Sequence, residues 1–222
     1  MQRINAWWEE IPSERFWLGV TGHDGRGELL AAPCGAKHST PTWAHPLITH
    51  VKDGDAVFHY GEAQQAIVAW SISRGRVQKK ELAWPRRAQG PDSERAAPRL
   101  RTSWAIDLER STPLDSVVPL DQIARIQWEL FPALRAFEDK VGEPLYYPFA
   151  MGSPSGTRLL AGHVFKLPAL FVECFPALAR VSEQMRWSAA ARMRATNRPW
   201  TRAVQVAASL DPRTSTEKMR RA

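Results

Sequence analysis

The stretch Val51–Gly75, VKDGDAVFHYGEAQQAIVAWSISRG, decides how this chain is read. It opens on a charged turn around Gly54–Asp55, followed by an apolar strand over Asp55–Tyr60. A short polar connection leads to a second apolar strand over Ala66–Ser73. Val57, Ile67, Val68 and Ile72 supply the β-branched side chains that pack well on a pleated surface. Tyr60 ends the first strand, Trp70 stands near the end of the second, and basic residues begin at Arg74. Flat side chains at strand ends beside cations suit the holding of a nucleobase. They are a poor start for a catalytic centre.

Outward from this hairpin, RFWLGVT (Arg15–Thr21) reads as a first strand, closed by the turn-rich GHDGRGE. Pro33–Pro46 reads as loop, and Leu47–Val51 as a helical turn or short strand. Pro85–Pro98 is rich in Pro, Gly, Arg and Ala and is expected to be an exposed loop. Thr102–Leu108 alternates again, with Trp104, Ile106 and Leu108 on one face. STPLDSVVPL is expected to connect this strand to a helix, whose stripe is Leu120, Ile123, Ile126, Leu130, Leu134, Phe137 and Val141. Pro132 is expected to kink or break that helix. Leu145–Phe149 reads as a further strand, and Pro168 as the first turn of a last helix.

Composition bounds the function. With 222 residues, 44% hydrophobic and 24% charged, the chain can bury a core. No apolar run is long enough to span a bilayer. The N-terminal MQRINAWWEEIPSERF has no signal-peptide core, so a cytoplasmic location is expected. Cys34 and Cys174 are expected to be reduced thiols. The net charge of +7 resides beyond Gln184, where nine basic residues face two acidic ones. Residues 1–184 therefore balance to zero, and the high isoelectric point is no argument for nucleic-acid binding by the domain. Residues 185–222 are expected to be a basic, disordered tail. Within the domain, Arg74–Arg101 holds nine basic residues against three acidic ones. Arg74, Arg76, Lys79, Lys80, Arg86 and Arg87 are the candidates for contact with phosphates.

Metal-ligand spacings, Gly-rich phosphate loops and nucleophile elbows are all missing from the sequence. His38, His45 and His50 are close in sequence but fit no metal motif. The expectation is a non-enzymatic protein with no metal and no cofactor. The ten tryptophans are the positive signal. Trp104 and Trp128 lie in regular elements and are assigned to core packing. Trp43, in the polar STPTWAHP, is explained by no strand or helix pattern. With Tyr60 and Trp70 it is a candidate wall for a flipped or unpaired base.

These segments resemble the EVE domains of the PUA-like superfamily, most closely the EVE-like module of modification-dependent EVE–HNH restriction endonucleases. The matches run in order through SERFWLGVT, the Trp43 loop, VKDGDAVFHY, QAIVAWSISRG, TSWAIDL, EPLYYPF and AGHVFKLPAL, covering roughly residues 1–180. The resemblance implies an α+β fold, a pseudo-β-barrel flanked by helices over residues 1–184. It also implies a pocket for a modified base: modified cytosine in DNA, or modified RNA as in related PUA-like readers. On these positions Trp43 looks like the cage tryptophan, with Tyr60 and Trp70 as other walls. His59, Ser71 and Gln65 are the candidates to hydrogen-bond a base edge, with Trp17 behind the pocket. The HNH part of the pattern is missing. Beyond His59 the only histidine is His163, and Asn197 stands alone in the tail. A reader that has lost its nuclease is the expectation, with a protein-interaction module as the rival from another class.

Overall fold

The sheet grows from the turn Lys52–Asp55, where Gly54 takes φ +78° and the Asp55 N–H reaches Lys52 O at 3.1 Å. Only glycine adopts that left-handed conformation without strain. The structure, a computed structural model, describes residues 4–21, 28–35, 43, 46–84, 98–109, 111–142, 144–150 and 156–186. The chain divides into two units, Met1–Ala179 and Arg180–Ala222; of the second, the described residues 180–186 are helical. Residues 22–27, residues 85–97 of the expected loop and the tail beyond 186 lie outside the described residues.

The first unit is a mixed α+β fold built on a curled sheet. β1 (Phe16–Thr21), β2 (Leu29–Pro33), β3 (Ala56–Gly61), β4 (Ala66–Trp84), β5 (Arg99–Leu108) and β9 (Val164–Leu167) follow the order β2-β5-β4-β3-β1-β9. β1 runs parallel to β3, and the other neighbours are antiparallel. The two ends of the path, β2 and β9, come back into contact. Gly19 of β1 shows how tight this curl is: a Cβ there would lie 2.7 Å from Leu30 Cδ1 of β2. Leu47 and Ile48, in the 3-10 turn Pro46–His50, are fully buried where that turn meets β2, β5 and β9.

β4 is far longer than the strand read from sequence. Its first part pairs with β3, and its second part, from Ser73 to Trp84, pairs with β5. The register slips between Arg74 and Gln78, around Gly75 at φ +74°. STPLDSVVPL contains a strand, β6 (Thr112–Pro119), which pairs with β4 and, among the described residues, with no other strand. Pro113 and Pro119 are tolerated because an edge strand leaves backbone donors unused on one side.

α1 (Leu120–Val141) runs 22 residues through Pro132 and ends on Gly142 at φ +71°. The proline forfeits one backbone bond, but buried residues before and after it, Leu130 and Leu134, hold the helix on course. Trp128 is 74% exposed rather than core. It falls off the Ile126–Leu130–Leu134 stripe by more than a quarter turn. Leu145–Phe149 is not a strand, because Tyr146 adopts φ +55°; only Phe149–Ala150 (β7) pairs, with Arg158–Leu159 (β8). The last helix is interrupted: α2 (Ala169–Glu173), with Pro168 as its N-cap, stops before Pro176, and residues 176–179 are helical again. Pro176 lacks the N–H that would carry the first helix on. Cys34 and Cys174 are free thiols. No described helix is long and apolar enough to cross a membrane.

Candidate functional site

Trp43 is the sequence-nominated residue that meets a cleft. Its backbone carbonyl accepts the Leu47 N–H at 3.2 Å, tying it to the buried 3-10 turn. Its ring lies edge-on to Tyr146, with centroids 5.3 Å apart, and 6.0 Å from Phe165. Together with Tyr146, Tyr147 and Phe149 it lines a cleft of about 300 Å³. α1 supplies Phe131, Leu134, Arg135 and Glu138 to the same lining.

Tyr146 is held from several directions. Its Oη accepts the Asn5 N–H at 2.9 Å, its carbonyl accepts the Lys166 N–H at 3.2 Å, and its ring meets Trp8. That restraint maintains a backbone conformation that a bulky residue rarely adopts. Tyr147 Oη is buried with no hydrogen-bond partner among the described residues. Burial, helped by Cys174, pushes its pKa well above the ordinary phenol value, so it stays neutral. Arg135 and Glu138 are the charged groups of the lining.

The other nominated residues do not converge on this cleft. Phe58 pairs with Trp70, and Val57 with Ser71, across β3 and β4. Alternation therefore puts Phe58, Tyr60 and Trp70 on one face and Val57, His59 and Ser71 on the other. A single pocket cannot be walled by Tyr60 and Trp70 and read by His59 and Ser71. Tyr60 is fully buried 6.3 Å behind Phe149, one layer from the cleft. His59 Nε2 and Ser71 Oγ are 2.8 Å apart in the interior, and His59 Nδ1 has no partner among the described residues. Burial lowers the His59 pKa to about 4. Gln65 sits in the β3–β4 turn at φ +48°, donates to Glu62 O at 2.7 Å and accepts from Tyr60 Oη at 3.4 Å. Trp17 is core: fully buried, it donates from Nε1 to Asp55 Oδ2 at 2.9 Å.

Four of the six basic candidates, Arg74, Arg76, Lys79 and Lys80, stand on β4. Arg74 pairs with Glu109, Lys80 Nζ lies 2.8 Å from Asp107, and Lys79 Nζ sits 4.8 Å over the Trp104 ring. Arg76 is exposed. Arg86 and Arg87 lie outside the described residues, as do His38 and His45. Among the described residues, no three His, Cys, Asp or Glu side chains are grouped to hold a metal ion. Sequence reasoning missed Tyr146, Tyr147 and Phe149 as cleft residues, although the aromatic run EPLYYPF was visible. Arg135 and Glu138 gave no signal, since charged residues late in a helix are ordinarily solvated.

No family model matches the chain, and no curated protein does. Among solved structures it is similar to the NMR structure of Rpa0253 from Rhodopseudomonas palustris, at 14% identity and TM-score 0.38, over 74% of this chain and 91% of that one. It is also similar to a Pseudomonas putida crystal structure, at 16% identity and TM-score 0.37, over 77% and 99%. Likenesses this loose carry no argument about fold family or activity.

Proposed function

We propose that this chain is a non-enzymatic, PUA-like reader of nucleic acid that takes a modified base, modified cytosine in DNA, into the cleft beside Trp43. The observation that carries the reading is that Trp43, nominated from sequence as a stacking wall, borders an aromatic cleft of about 300 Å³. That volume is at the small end of the roughly 300–1,000 Å³ seen for ligand pockets, and it suits one flat ring system. The edge-on Trp43–Tyr146 pair and Phe131 offer the faces on which a base can stack.

Phosphates would meet Arg74, Arg76, Lys79 and Lys80 on β4, with Arg86 and Arg87 beyond. The pairs Arg74–Glu109 and Lys80–Asp107 are solvent-exposed, so exchanging a carboxylate for a phosphate costs little. Such contacts position a duplex without reading its sequence.

The test is an anisotropy titration of one duplex carrying cytosine, 5-methylcytosine or 5-hydroxymethylcytosine at a single site, at low and high salt. A modified cytosine should bind more tightly than cytosine, and all affinities should fall steeply as salt rises. Equal affinity for every duplex would refute the reading. Tighter binding of N6-methyladenosine RNA would assign the cleft to RNA instead.

A further inference from the structure

The cleft carries its charge on one turn of α1. Arg135 Nη1 and Glu138 Oε2 are 3.3 Å apart, and the Arg135 guanidinium lies 5.2 Å from the Phe131 ring centre. Glu138 is the more sunken of the two, with its side chain 32% exposed against 60% for Arg135. A carboxylate only accepts hydrogen bonds and a guanidinium only donates them. The neutral Tyr147 and the aliphatic Leu134 add no competing charge. A ligand's polar edge therefore meets one acceptor and one donor side by side against aromatic walls.

We propose that Glu138 and Arg135 select bases that carry an exocyclic amine. Glu138 accepts from the amine while Arg135 donates to the adjacent ring nitrogen or carbonyl oxygen. The inference rests on the base-reading role of the cleft and adds which residues choose the base and by what chemical group. Cytosine presents an amine at position 4 next to an acceptor nitrogen, which complements the pair. Held in the pose that pairs the cytosine amine with Glu138, uracil and thymine put a carbonyl oxygen at position 4, where it would face the carboxylate with no proton between them. Carboxylate acceptance from the cytosine amine is a known mode of base discrimination, and a mismatch of this kind costs roughly 5- to 160-fold in affinity.

The deciding comparison uses 5-hydroxymethylcytosine and 5-hydroxymethyluracil, which carry the same modification and differ in the groups at positions 3 and 4. Each is placed opposite an abasic site in the same duplex, so that opening costs are matched, and titrated against the full chain. The wild type should prefer the cytosine by roughly tenfold or more. Glu138→Gln, whose amide both donates and accepts, should bring the two bases within about threefold of each other, with thermal melts confirming an intact fold. A wild-type ratio near one, or an unchanged ratio in Glu138→Gln, overturns the inference. If binding still favours modified over plain cytosine and still requires Trp43, base reading survives without amine selection. If no modified base is favoured at all, base reading fails and this inference fails with it.

Discussion

Asp55→Ala probes how the hairpin is anchored to the rest of the sheet. The Asp55 side chain accepts three hydrogen bonds: from Arg15 Nε at 2.8 Å, Trp17 Nε1 at 2.9 Å and the Lys52 N–H at 2.9 Å. Trp17 is completely buried, so its indole N–H would be left with no water to turn to. An orphaned buried donor costs about 1–3 kcal/mol. The part-buried Lys52 N–H adds a smaller amount. The Arg15 side chain is 43% exposed and regains solvent, so its share is at most about 1 kcal/mol. The expected loss is about 2–5 kcal/mol, a large fraction of the roughly 5–15 kcal/mol typical of a domain. Urea unfolding followed by circular dichroism measures it. Trp17→Phe removes the donor itself, so the double variant should lose less than the sum of the singles by about 1–2 kcal/mol. A loss under about 0.5 kcal/mol for Asp55→Ala, or additive singles, would refute this account of the anchor.

Two further perturbations address buried polar groups. His59 is held neutral, its pKa lowered by burial from 6.5 to about 4. The unfolded chain takes up that proton near 6.5 and the folded chain only near 4. The contribution is therefore fully present above 6.5 and lost as pH falls towards 4, on the order of 3 kcal/mol in all. Urea midpoints across that window should slope less in His59→Gln, and equal slopes would contradict the assignment. Lys166 is wholly buried, donating to Phe16 O at 3.0 Å and Leu167 O at 2.9 Å, with Glu14 Oε2 at 3.3 Å. Lys166→Met leaves Glu14 without its cation and should cost about 3–5 kcal/mol, part of which Glu14→Gln should restore. Thermal melts of the single and double variants would show the reverse order if the pair were dispensable.

The strands around the Asp55 turn were legible because apolar alternation and β-branched residues coincide there. β1, β3 and the start of β4 stand close to the segments read from sequence. The rest of β4, RGRVQKKELAW, was hidden because its charged side chains imitate a loop, while its backbone is committed to β5. β6 was hidden by its prolines, which mark an edge strand as readily as a connection. Trp128 was legible in principle, since counting turns from Ile126 already places it off the buried stripe. The site was less legible than the fold. Trp43 borders the cleft, but its companions come from 131–138 and 144–149, segments far away in sequence. Proximity along the chain instead suggested Tyr60, Trp70, His59 and Ser71, which strand alternation divides between two faces. Spacing along one hairpin does not show which side chains share a cavity.

The most direct test of base reading is the affinity of Trp43→Ala for a duplex carrying one 5-hydroxymethylcytosine, beside its affinity for the same duplex with cytosine. Trp43 meets Tyr146 and Phe165 at ring edges and is half-buried, so the variant should remain folded by thermal melting. Loss of one stacking wall is worth about 1–3 kcal/mol. The account predicts that the preference for the modified base falls by roughly fivefold or more while binding of the plain duplex through the basic strand changes little. An unchanged preference in folded Trp43→Ala would contradict it.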